Sequence, residues 1–241
     1  MKALFIGGTG TISSSITDLA ASLGWEVYLI NRGPRNADLP VNVNAIECDI
    51  NDEERMSGLI REMRFDVIVD FICYTREHAQ RDFRLFNGRT DQFVFISSAS
   101  AYMKPPKGYP VTESTPLCNP FWQYSREKIA CEEYFTGLCR NEGFPVTIVR
   151  PSHTYCERSV PVGLHGKNGS WQVLKRILNG KPVIIHGDGA SLWTLTHSRD
   201  FAKAFVGLMG NIHAIGEAVH ITSDESLSWD QIGRASCRER M

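Results

Sequence analysis

The 241-residue chain is predicted to be an α/β protein with a doubly wound parallel sheet and a smaller C-terminal portion. Two observations predict this. Short apolar runs alternate with helix-period segments, and a glycine-rich turn follows the first run directly. The composition agrees: 42% hydrophobic and 22% charged is an ordinary globular mix. Lys plus Arg number 26 against 27 Asp plus Glu, a formal charge of −1, which excludes a grossly basic nucleic-acid binder. No apolar run approaches the ~18 residues that span a bilayer, so no membrane partner is expected. The N-terminus lacks the regions of a secretory signal. The seven cysteines form no C-x-x-C pair, so reduced thiols and a cytoplasmic location are expected.

Residues 2–6 read as the first strand and 11–23 as a helix stopped by Gly24. Strands follow at 26–30 and 43–47, then a helix near 52–63. The run 66–71 (DVIVDF) is apolar almost throughout, as in a strand covered on both faces. A helix near 76–86, a strand at 92–96, a long helix near 121–141 and a strand at 146–149 complete the first portion, 1–151. Residues 152–170, rich in Gly, Pro, Ser and His, read as a long functional loop. Beyond it a helix (171–179), a strand (182–185), a helix (199–209) and a strand (217–221) are expected. Ser228 caps a helix start, with Asp230 and Gln231 in its first turn. The run 233–241 resembles translated adapter sequence, so a non-native tail is expected there, with further native sequence missing beyond Ile232.

Gly7-Gly8-Thr9-Gly10-Thr11-Ile12-Ser13 lies between a strand and a helix. Glycine lets backbone N–H groups approach a pyrophosphate, and the helix N-terminus adds partial positive charge. A G-x-x-G pair alone is weak; its strand–turn–helix setting makes it a dinucleotide cradle. Ser13 holds the third small position. The second strand ends at Asn31-Arg32 rather than Asp or Glu; a guanidinium suits a 2′-phosphate, which favours NADP over NAD. Asp49-Ile50 follows the third strand; Asp49 either holds the adenine amino group or merely enters the next helix.

Tyr124 and Lys128 are four apart on the long helix, so their side chains share a face. An ammonium beside a phenol stabilises the phenolate and is expected to lower the Tyr124 pKa from about 10. Upstream, Ile96-Ser97-Ser98-Ala99-Ser100-Ala101-Tyr102 ends a strand at the sheet edge where ligands bind. Alone, that stretch is a serine-rich turn.

Glycine turn, serine cluster, Tyr-x-x-x-Lys and Arg150-Pro151 together resemble the extended short-chain dehydrogenase/reductases, the NAD-dependent epimerase/dehydratase family, over residues 1 to about 232. The resemblance implies a Rossmann-like fold, an NAD(P) cofactor and a substrate-binding portion at 152–232. It implies catalytic roles for Ser98 (with Ser97 and Ser100 as competitors), Tyr124 and Lys128. Gly7, Gly10, Thr11, Ile12, Asn31, Arg32, Asp49, Ile50, Phe71, Ile72, Tyr124, Lys128, Pro151 and Ser152 would bind the cofactor. Gly187-Asp188-Gly189 and Asp200 match later structural motifs. A small-molecule substrate and a homodimer are the expected partners, and no nucleic acid.

Two positions depart from that family. Trp193 stands where nucleotide-sugar enzymes place an Arg on the diphosphate, which makes a sugar-nucleotide epimerase less expected; Arg158, Lys167 or Lys175 would be substitutes. Met103 replaces a glycine. His153, His165, His186 and His197 are irregularly spaced and read as loop or core residues, not metal ligands. Cys73 reads as an inert buried thiol. Three functions compete: an oxidoreductase using Tyr124 for proton transfer, an RNA-binding relative of the chloroplast stem-loop binding proteins, and a non-catalytic NADP-binding regulator.

Overall fold

The computed structural model describes residues 1–33, 39–165, 167 and 169–238. Positions 166 and 168 of the expected loop and 239–241 of the expected tail lie outside them. In chain order the strands are β1 (Lys2–Ile6), β2 (Glu26–Asn31), β3 (Val43–Glu47), β4 (Phe65–Asp70), β5 (Thr90–Ile96), β6 (Val146–Pro151), β7 (His153–Tyr155), β8 (Leu192–His197), β9 (Ala218–Ile221) and β10 (Ser226–Ser228). The helices are α1 (Thr11–Ser22), α2 (Glu53–Leu59), α3 (Arg76–Phe86), α4 (Gln123–Glu142), α5 (Ser170–Leu178), α6 (Ser198–Leu208) and α7 (Trp229–Arg238).

Seven strands form one parallel sheet in the order β3-β2-β1-β4-β5-β6-β9. The fold is the expected doubly wound, Rossmann-like one. Alternate strand residues feed opposite layers, as period-2 geometry requires. Leu4, Ile68, Phe93 and Phe95 pack with Phe86 and Phe135 on the α3–α4 side. Phe5, Val67, Val69 and Val94 pack with Ile16, Phe201 and Phe205 on the α1–α6 side. Strand order reverses between β1 and β4, which opens a crevice at their C-terminal ends.

A second sheet has the order β10-β8-β7. Here the sequence reading needs correction. The expected strand at 182–185 does not form. Pro182 lacks a ladder donor, and Val183 instead packs against the cluster of Val162, Val173 and Ile177. The strand is β8, paired to β10 and β7, and β7 lies inside the stretch expected to be loop throughout. α2 is shorter than expected; it ends near Gly58, a weak helix former. α7 begins with a reciprocal cap: Gln231 N donates to Ser228 Oγ (3.2 Å), and Ser228 N donates to Gln231 Oε1 (2.8 Å). It continues past Gly233 to Arg238.

Candidate active site

The glycine turn closes β1 onto α1. Gly7 has φ 79°, and a Cβ there would lie 2.6 Å from Ile72 Cγ2. A Cβ on Gly10 would meet only Ser13 Oγ, at 3.3 Å, so the turn stays open on its outer side. Ser13 is buried and ties the turn together: it accepts from Gly10 N (2.7 Å) and donates to Gly7 O (2.9 Å). A glycine at 13 would make neither bond. The N–H groups of Thr11 and Ile12, in the first turn of α1, have no intrahelical acceptor. They point to where an anion would sit, and the cradle fits a pyrophosphate.

Beside this turn runs a cleft of about 640 Å³ lined by Gly7, Gly10, Asn31, Arg32, Asp49, Ile50, Ile72, Tyr74 and Arg81, among others. Seven of the fourteen residues expected at a cofactor, Gly7, Gly10, Asn31, Arg32, Asp49, Ile50 and Ile72, line it. Asn31 Oδ1 accepts from Gly33 N (2.7 Å) and shapes the turn there; Arg32 is exposed on the wall. Asp49 Oδ1 accepts from Asn51 N and Nδ2, each at 3.0 Å, while Asp52 is the N-cap of α2. Phe71 is different: its side chain turns away into the α1–α6 core against Phe5 and Phe205, because strand alternation sends 70 and 71 to opposite faces. Ile72 is the residue that reaches the cleft. Pro151 is buried at the end of β6, and Ser152 Oγ lies 2.8 Å from Thr194 Oγ1.

The serine alternatives separate by partner. Ser97 is buried and donates to Glu132; Ser100 Oγ accepts from Ser125 Oγ (3.0 Å). Ser98 is the serine whose hydroxyl neighbours the Tyr124 phenol and pulls its pKa down. Burial outweighs this, and the Tyr124 pKa is raised from 10.0 rather than lowered as expected. The physical reason is burial of the phenol, and the Lys128 ammonium is committed elsewhere. Its Nζ sits 5.6 Å from the Tyr124 ring centroid, and it donates to Cys73 O (2.6 Å) and Ile96 O (2.7 Å) at the ends of β4 and β5. Burial lowers the Lys128 pKa in turn.

Two aromatics missed in the sequence flank the phenol: Trp122 (ring centroids 4.9 Å) and Tyr74 (6.4 Å), both exposed. Their places just before Tyr124 and just after Ile72 were the available signal. Beneath the site, Arg150 pairs with Glu132 through Nη2–Oε2 (2.7 Å) and Nε–Oε1 (3.0 Å). Burial opposes its charge, yet Glu132 holds the guanidinium above its ordinary value. Arg81 bridges buried Asp70 (2.9 Å) and Asp82 (2.7 Å), so the Asp70–Cys73–Asp82 cluster already holds a cation. His153 and His186 both contact Trp229, whereas His197 contacts Tyr155.

The chain is similar to 2′-dehydrokanamycin reductase of Streptomyces kanamyceticus, 27% identical over 96% of this chain and 64% of the relative. It is also similar to the chloroplast stem-loop binding protein of 41 kDa b of Arabidopsis thaliana, 22% identical over 98% of this chain and 62% of that one. It thus spans under two thirds of the length of either. A solved UDP-glucose 4-epimerase of Thermus thermophilus, in complex with NAD, superposes with TM-score 0.82 at 20% identity, covering 100% of this chain and 83% of that one. No described helix is long and apolar enough to cross a membrane. The model of the NAD-dependent epimerase/dehydratase family matches residues 3–221, and the chain belongs to that family.

Proposed function

We propose that the chain is an NAD(P)-dependent oxidoreductase, acting as an epimerase, dehydratase or reductase on a hydroxyl or carbonyl of a small, sugar-type substrate. The nicotinamide supplies hydride exchange when bound. Thr11 and Ile12 N–H would hold the pyrophosphate, Asp49 the adenine amino group, and Arg32 a 2′-phosphate, which favours NADP. Lys128 would offer its remaining N–H to the nicotinamide ribose, with Pro151 and Ser152 alongside. In the reducing direction Tyr124 donates its proton to the carbonyl oxygen, and Ser98 holds that oxygen by a hydrogen bond. In the oxidising direction the Tyr124 oxygen must accept the proton, and its raised pKa places that activity at higher pH.

The observation that carries this reading is the grouping of the Ser98 hydroxyl, the Tyr124 phenol and the Lys128 ammonium beyond the C-terminal ends of β4 and β5. Tyr124→Phe is expected to lower turnover by roughly 10²–10⁴-fold while titration with NAD or NADP gives an unchanged affinity. Unchanged turnover would refute the role of Tyr124; cofactor binding without turnover in the wild-type chain would leave the non-catalytic regulator. The likeness to a stem-loop binding protein supports a second reading, RNA binding. It predicts an RNA affinity that falls steeply with salt, and the charge of −1 counts against it.

A further inference from the structure

Trp122 and Tyr74, whose rings both meet the Tyr124 ring, do little for the fold where they stand. Trp122 is the N-cap of α4, a position where Ser, Thr, Asp or Asn would bond the first N–H groups, and its side chain makes no such bond. Trp122 is 56% exposed, Phe121 before it 75% and Tyr74 45%, so a patch of bare aromatic surface adjoins the phenol. The backbone that carries this patch is nevertheless fixed. Buried Asn119 donates to Ser100 O (2.7 Å) and Ser125 Oγ (3.2 Å) and accepts from Phe121 N (3.2 Å), and Arg126 donates to Pro120 O. Tyr74 is held as well. Its N–H donates to His78 Nδ1 (3.2 Å), the Lys128 ammonium lies over its ring at 4.9 Å from the centroid, and the residue lines the cleft of about 640 Å³. Rigid backbone thus presents apolar rings to solvent beside the reactive group, against the capping preference and against burial. Such a conflict with local rules marks a ligand contact rather than a packing one.

The Tyr124 and Ser98 hydroxyls would hold one substrate oxygen, but neither recognises the skeleton that carries it. An aromatic face has negative quadrupole charge and attracts C–H groups. A saturated six-membered ring with hydroxyls on its rim offers C–H groups on its faces. An open-chain polyol has no such face until its torsions are frozen, which costs entropy. We propose that Trp122 and Tyr74 are specificity-determining residues that hold a polyhydroxylated six-membered ring, a pyranose or a cyclitol, by its apolar face beside Tyr124. This rests on the oxidoreductase reading and adds to it the shape of the substrate.

The test uses the full chain, titrated calorimetrically with NAD and NADP and then, saturated with the tighter one, with glucose, myo-inositol, glucitol and benzyl alcohol. Glucose or myo-inositol is expected to bind at least about tenfold tighter than glucitol, which has the hydroxyls without the ring. Trp122→Ala is expected to erase that preference, with an unchanged dinucleotide affinity as the sign that the site is still folded. Trp122→Phe should retain part of it. Tyr74→Ala should weaken the preference and Tyr74→Phe, which keeps the ring, should preserve it. The proposal is overturned if cyclic and open-chain polyols bind alike, if no probe binds, if benzyl alcohol binds tighter than both cyclic polyols, or if Trp122→Ala and Tyr74→Ala keep the wild-type preference. Any of these outcomes in a chain that binds a dinucleotide leaves the oxidoreductase reading standing. Failure to bind either dinucleotide would overturn that reading, and this proposal with it.

Discussion

At the glycine turn side chains staple the backbone in place and leave only the first N–H groups of α1 open, whereas in the C-terminal half several buried side-chain atoms have no partner. Ser13 satisfies Gly10 N and Gly7 O, Asn31 satisfies Gly33 N, and Arg81 joins Asp70 to Asp82. Among the described residues, Trp193 Nε1 on β8 and His220 Nε2 and Thr222 Oγ1 at the end of β9 are buried without partners, as is Asp82 Oδ2 beside Arg81. The difference teaches where specificity resides. A dinucleotide bound there would meet backbone already fixed in shape, so little ordering would be needed on binding. The other half leaves donors and acceptors for a ligand to satisfy, and a molecule lacking matching groups is rejected because those atoms stay unpaired.

That contrast breaks most severely at Glu132. Glu132→Ala would strand the buried Arg150 charge and is expected to cost about 3–5 kcal/mol in urea unfolding. A loss near zero would mean that the floor under the site is not held by this pair. Next is Arg32→Ala, expected to shift the NADP-to-NAD affinity ratio by about tenfold towards NAD in paired titrations. An unmoved ratio would remove Arg32 from the 2′-phosphate. Ser13→Ala should cost about 1 kcal/mol of stability and weaken dinucleotide binding. If binding is untouched, the turn needs no staple.

The smallest effect is on pH. Burial first, then His165 and His186, lower the His153 pKa below 6.5. Above pH 6.5 both folded and unfolded chains hold His153 neutral and the native state keeps its full advantage. As pH falls below that value the unfolded chain takes the proton first, so stability declines. His153→Asn should flatten this part of a thermal-melting profile; an unchanged slope would place the acid sensitivity at His220, whose pKa burial also lowers.

The main sheet was legible because its strands are covered on both faces and each apolar run is bounded by a turn signal. The run 66–71 became β4 with a one-residue shift. The second sheet was not legible. β7 and β10 are three residues each, and β8 alternates only weakly, with Leu192 exposed and Trp193 half-buried. Strands so short are defined by their neighbours rather than by their own pattern. The Tyr124–Lys128 spacing was readable, since helical geometry converts it into a shared face. Its electrostatic consequence was not, because only the fold brings the carbonyls of Cys73 and Ile96 to the ammonium. Lys104 over Trp193 likewise joins positions 89 apart in the chain, which no local pattern reports.

The tethering of Lys128 has a consequence for how any substitution there is interpreted. An ammonium has three N–H bonds, and two of them act as a tie-rod between the ends of β4 and β5. Lys128→Met therefore slackens the crevice as well as emptying it of charge, and lost turnover would conflate architecture with chemistry. Faster amide exchange at 70–74 and 96–98 would reveal the slack; protected amides beside a dead enzyme would isolate the single remaining N–H as the chemical one.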